Sequence, residues 1–98
     1  MWHSFYIGMA KKVGVNAAII YEIILLSSLK NKANNENFLH GRYWTCNSIK
    51  SWEKILPYMS SKVIRNALKK LEDKGYIKTG VYNSNPHDRT KWYSVEVV

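Results

Sequence analysis

Residues 60–75 read SSKVIRNALKKLEDKG. Ile64, Ala67, Leu68 and Leu71 recur at i, i+3, i+4 and i+7, the spacing that puts four apolar side chains on one stripe of an α-helix. Ser60 can accept from the free N–H groups of the first turn, and Gly75 can take the left-handed conformation that closes the last one. The pattern therefore predicts a helix over 61–74. Lys62, Arg65, Asn66, Lys69 and Lys70 fall outside the stripe, a donor set able to bond phosphates and base edges. The same residues also describe an ordinary solvated helix face.

Upstream, Asn47 or Ser48 can cap a helix over 48–56, where Ile49, Trp52, Ile55 and Leu56 supply the apolar face. Pro57 ends it. The linker Pro57-Tyr58-Met59 leads straight into the Ser60 cap, so two short amphipathic helices are joined by a turn of about three or four residues, the spacing of a helix-turn-helix. Downstream, 76–82 and 91–97 have strand character. Between them 83–90 is rich in turn residues, which predicts a β-hairpin with Arg89 and Lys91 beside its tip.

Toward the N-terminus, Trp2, Phe5, Tyr6, Met9 and Val13 predict a first helix over 3–13 that stops near Gly14. Asn16 can cap a second over 17–31. Its residues Ile19, Ile20, Ile23, Ile24, Leu25, Leu26 and Leu29 lie on nearly every side, so the helix either runs through the centre of the domain or has one face covered by a second copy of the chain. In a chain this short the second alternative is favoured, a homodimer through the N-terminal helices. Residues 31–41 are polar and aperiodic and read as a loop; 43–45 read as one brief strand, whose Tyr43 and Trp44 suit base stacking in isolation but more commonly pack on a sheet.

Ninety-eight residues suit one domain, read as α+β and mainly helical. Fifteen Lys and Arg against seven Asp and Glu leave a net charge of +8, which points to a polyanionic partner: nucleic acid first, an anionic membrane surface second. Cys46 is the only cysteine, so no internal disulfide forms, and His3, His40 and His87 lack metal-ligand spacing. No metal or cofactor is expected. There is no secretion-signal pattern at the start, and the apolar run of 15–29 is too short and interrupted to span a bilayer, which fits a cytoplasmic protein with no membrane partner. Paired catalytic groups and a glycine-rich phosphate loop are both missing, so an enzyme is not expected.

Helix, helix, short strand, helix, helix, strand, loop, strand is the order of a winged helix-turn-helix, the hairpin loop being the wing. Three stretches carry a family resemblance: GVNAAIIYEIILL, YWTCNSIKSWEKILPYMSSKVIRNALKKLEDKGYI and DRTKWYSV. Together they resemble the N-terminal winged-helix domain of phage replisome organisers and related replication initiators, including DnaD-type primosomal proteins. The resemblance implies origin recognition or primosome assembly in phage or plasmid replication, inside a bacterial or phage-infected cell, with other replication proteins as partners. Proteins of that family usually continue into a second domain that recruits a helicase or its loader. The 98 residues correspond to the first domain alone, as a fragment or a short stand-alone member.

With double-stranded DNA as ligand, the candidate roles divide by side-chain chemistry. Ser61, Lys62, Arg65 and Asn66, on the first turns of the 61–74 helix, are the base-reading set, because Arg matches guanine and Asn matches adenine with two hydrogen bonds each. Lys50, Lys54, Ser60, Lys69, Lys70, Arg89 and Lys91 are the phosphate set. Two rival readings use the same fold: an oligomerisation and protein-interaction module of a primosome, and a transcription repressor.

Overall fold

A computed structural model of the chain describes residues 7–95. It is an α+β structure, mainly helical, in the order α1 (Ile7–Val13), α2 (Val15–Asn34), β1 (Phe38–Leu39), β2 (Arg42–Tyr43), β3 (Thr45–Cys46), α3 (Ile49–Ile55), α4 (Ser61–Asp73), β4 (Lys78–Gly80) and β5 (Trp92–Ser94). The strands form two small antiparallel sheets, β1-β2 and β3-β5-β4. Residues 3–6 of the predicted first helix, with Trp2, His3, Phe5 and Tyr6, and 96–97 of the last predicted strand lie outside the described residues.

Helix α2 is the hub, packing against α1, α4 and the strands β2, β3 and β5. Ile20 and Ile24 are fully buried there and meet Trp52 and Leu56 of the α3 segment and Ile64 and Leu71 of α4 in one core. Each such side chain contributes about 1.5 to 3 kcal/mol by leaving water. The apolar stripe of α4 faces this core as its spacing predicts: Ile64, Ala67, Leu68 and Leu71 are its buried residues.

Caps set the helix ends. Ser60 Oγ accepts from the Val63 N–H at 3.2 Å and Ser48 Oγ from the Ser51 N–H at 3.1 Å, so of the two alternatives for α3 it is Ser48, not Asn47, that caps. At the far end of α4, Gly75 has φ of +79°; its N–H donates to the Glu72 carbonyl and that of Tyr76 to the Leu71 carbonyl. This paired closure needs a left-handed residue, and only glycine adopts it without a Cβ penalty. The connection from α3 to α4 is 56–60, longer than the expected three or four residues, because Leu56 leaves the helix while remaining buried and its carbonyl accepts from Met59.

Several sequence expectations are corrected. Asn16 does not cap α2; the helix starts at Val15 after Gly14, with the Asn16 side chain exposed. The helix also runs past 31 to Asn34, and Asn35 ends it in the left-handed conformation, which Asn tolerates better than most residues. Much of the expected 31–41 loop is thus helix and hairpin. His40 and Gly41, with φ of +52° and +75°, form a two-residue turn between β1 and β2, and positive φ at both positions matches the twist of paired strands.

The single strand expected at 43–45 is split at Trp44. Its backbone N–H donates to the Asn37 carbonyl, its indole N–H to the Leu39 carbonyl, and its own carbonyl accepts from Asn31 Nδ2. These bonds take Trp44 out of the ladder, so β2 pairs with β1 while β3 pairs with β5. The strands expected over 76–82 and 91–97 are shorter, Lys78–Gly80 and Trp92–Ser94. The apolar-all-round α2 is not wholly enclosed: Val15, Leu26 and Leu29 are 51, 53 and 43 % exposed, so one of its faces stays open in the single chain.

Candidate nucleic-acid interface

On α4 the residues Ser61, Arg65 and Lys69 follow one another at i, i+4 and i+8, so they share one side of the helix. That side looks across a cleft of about 730 Å³ toward the segment that leads into β5. Arg65 and Lys69 line the cleft from α4; Arg89 and Lys91 line it from the opposite wall. Ile49, Leu68 and Tyr93 supply its apolar lining, and Glu72 and Asp73 bring two carboxylates to set against the four cations.

The wall carrying Arg89 and Lys91 is held by its own polar side chains. Asp88 Oδ1 accepts from the Thr90 N–H at 3.0 Å and from the Thr90 hydroxyl at 2.7 Å. These two bonds, the hydroxyl's first, hold the Asp88 carboxyl below its ordinary range. Asn83 Nδ2 donates to the carbonyls of Asp88 and Thr90, and the Lys91 carbonyl accepts from the Asn47 N–H at 3.2 Å. The loop before β5 is therefore a bonded turn that fixes where Arg89 and Lys91 start.

The cleft gathers only part of the expected set. Lys62, Asn66 and Lys70 are exposed on α4 but do not line it; consecutive helix positions turn by about 100°, which carries Asn66 round the helix from Arg65 and out of the cleft. Ser61 is half-buried at the start of α4, outside the cleft lining, and the Ser60 oxygen is engaged as the cap. Lys50 and Lys54 are exposed one turn apart on α3, also outside it. The reading from sequence missed Asn47, Ser48, Thr79 and Thr90, which line the same cleft. Thr90 could have been found from its place between Arg89 and Lys91. Thr79 could not, because only the fold brings β4 beside α4, where its hydroxyl donates to Glu72 Oε2.

Partial burial, and then the Asp88 carboxylate, push the Cys46 thiol up. Burial raises the Tyr93 phenol as well, and the neighbouring Trp52 indole N–H opposes that without reaching hydrogen-bond geometry. Among the described residues no group of three or more His, Cys, Asp or Glu is placed to hold a metal ion, and no helix is long and apolar enough to cross a membrane. No family model, curated protein or solved structure matches the chain.

Proposed function

We propose that the chain is a winged helix-turn-helix domain that binds double-stranded DNA, with α4 in the major groove and the 83–91 wing on the backbone. The observation that carries this reading is the cleft itself: Arg65 and Lys69 of the helix meet Arg89 and Lys91 of the wing around one concavity, in a chain of net charge +8. The pairing of α3 with α4 and of β4 with β5 supports it. Ser61, Lys62, Arg65 and Asn66 are the base readers; Lys50, Lys54, Ser60, Lys69, Lys70, Arg89 and Lys91 hold phosphates. By its resemblance the domain serves a replication initiator or replisome organiser of a phage or plasmid, working in the cytoplasm of a bacterial or phage-infected cell without metal or cofactor. A transcription repressor shares every one of these contacts and differs only in the site it occupies.

The test is a duplex selected from a random pool, titrated at several salt concentrations. Arg65→Ala and Asn66→Ala each cost about 1 to 3 kcal/mol of discrimination, whereas Arg89→Gln weakens all duplexes alike and lowers the salt slope by about one. Unchanged binding by the Arg65 and Asn66 variants removes α4 from the interface.

A second reading, a homodimer or primosome interaction module, is favoured by the open face of α2. Val15, Leu26 and Leu29 are large apolar side chains left in water, which is unfavourable for a lone domain. Sedimentation separates the readings: self-association abolished by Leu26→Glu, with no duplex binding at physiological salt, favours the interaction module.

A further inference from the structure

A second groove, of about 450 Å³, lies beside β4 where the β1-β2 turn approaches the hairpin. It shares only Glu72 and Thr79 with the first cleft, and those two side chains are hydrogen-bonded to each other. Its remaining lining combines aromatic rings with cations. His40, Trp44 and Tyr82 supply the rings, and Arg42 and Lys78 the charge.

The rings are assembled, not scattered. Tyr82 stands 4.9 Å from Trp44 and 6.0 Å from Trp92, centroid to centroid, in edge-to-face contact, and the His40 imidazole lies 5.3 Å from Tyr82, tilted by 46°. Trp44 is buried and Tyr82 half-buried, while His40 is exposed at the tip of the β1-β2 turn. His40 takes the first position of the positive-φ turn, and the Trp44 indole bond to the Leu39 carbonyl anchors the residue before it.

We propose that this groove binds one unpaired nucleotide of a single strand, the base stacked on His40 beside Tyr82 and the adjoining phosphates on Arg42 and Lys78. Sequence-tolerant single-strand binding uses this combination, aromatic faces for bases and a cationic track for the backbone. A duplex offers no free base face to such a platform. A simple inorganic anion would use the cations and leave the rings idle. Glu72, the one carboxylate in the lining, is engaged by the Thr79 hydroxyl. The inference extends the nucleic-acid reading above but stands on separate residues, so an opening duplex would find its paired and unpaired parts served by adjoining surfaces.

The experiment measures the full chain by fluorescence anisotropy against a labelled oligothymidylate and a labelled duplex of the same length. His40→Asn removes the ring and keeps a residue that tolerates positive φ; Lys78→Gln removes a charge from an exposed strand position. Each weakens oligothymidylate binding by roughly fivefold or more and changes duplex affinity less than about twofold, while Arg65→Ala does the reverse. That selectivity supports the inference even if duplex affinity proves weak, in which case the duplex reading alone fails. No oligothymidylate binding by the native chain, unchanged binding in both variants, or equal losses on both probes overturns it.

Discussion

The Asn83 amide oxygen accepts a 2.7 Å hydrogen bond from the Trp92 indole N–H, tying the start of the 83–90 loop to the first residue of β5. The other end of the same amide donates to the carbonyls of Asp88 and Thr90, each at 2.9 Å. One side chain thereby closes the loop that carries Arg89. Asn83→Ala removes all three bonds, one of them exposed and two part-buried. The expected net loss is about 1 to 2 kcal/mol in urea unfolding, at an unchanged m-value. Under the DNA reading, duplex affinity falls several-fold in the same variant, because Arg89 must then be ordered on binding.

The 83–90 loop also carries a pH dependence whose sign follows from Asp88. Its carboxylate accepts two bonds from Thr90 in the folded chain and has none of them when unfolded, so its folded pKa is depressed below the ordinary 3.8. The loop is therefore fully held above the unfolded value and loosens as pH falls through the folded one. An NMR titration of the Asp88 carboxyl carbon should give a midpoint below 3.8. Thr90→Val, which deletes the hydroxyl donor, moves that midpoint upward. A midpoint unmoved by Thr90→Val would break the link between this carboxyl and its loop.

Ser60 is the local signal on which α4 starts. Ser60→Ala leaves the Val63 N–H without its side-chain acceptor and lowers stability by about 1 kcal/mol, and Ser60→Gly lowers it less. Thermal or chemical unfolding checks both. A loss from Ser60→Ala as small as that from Ser60→Gly would show that water replaces the cap completely.

Trp52 is fully buried, and its indole N–H, though beside the Tyr93 hydroxyl, has no partner at hydrogen-bond geometry. An unmet buried donor costs roughly 1 to 3 kcal/mol, so Trp52→Phe offsets part of its lost volume by removing that donor. The expected cost is less than about 2 kcal/mol, against about 2 to 5 kcal/mol for Leu71→Ala, which only opens a cavity. Equal losses in urea unfolding would mean that the indole N–H is satisfied in solution.

What could be read directly from residues was what depends on near neighbours. The span 61–73 of α4, its Ser60 cap, its Gly75 closure and its buried stripe all rest on interactions within one or two turns, and each matches the sequence pattern. The errors fall where a distant partner overrides a local preference. Asn16 is an acceptable cap by type, but α1 packs on the start of α2 and the helix begins earlier. Trp44 has strand character, but Asn31, Asn37 and Leu39 bond it out of the ladder. The His40-Gly41 turn was missed because two-residue strands are too short for an alternation to register.

The candidate site divides the same way. Sequence alone determined that α4 carries donors on its outer side and that a turn-rich, basic loop lies between two strand-like runs, since both are properties of contiguous residues. Only the tertiary structure decided that Arg65 and Lys69 share a cleft with Arg89 and Lys91, and that Lys62, Asn66, Lys50 and Lys54 stand outside it. It likewise brought His40 to Tyr82. Helical periodicity sets which side of its own axis a residue occupies. Which other segment that side meets is set by how α2 buries its neighbours, a packing outcome of the whole core that no local spacing encodes.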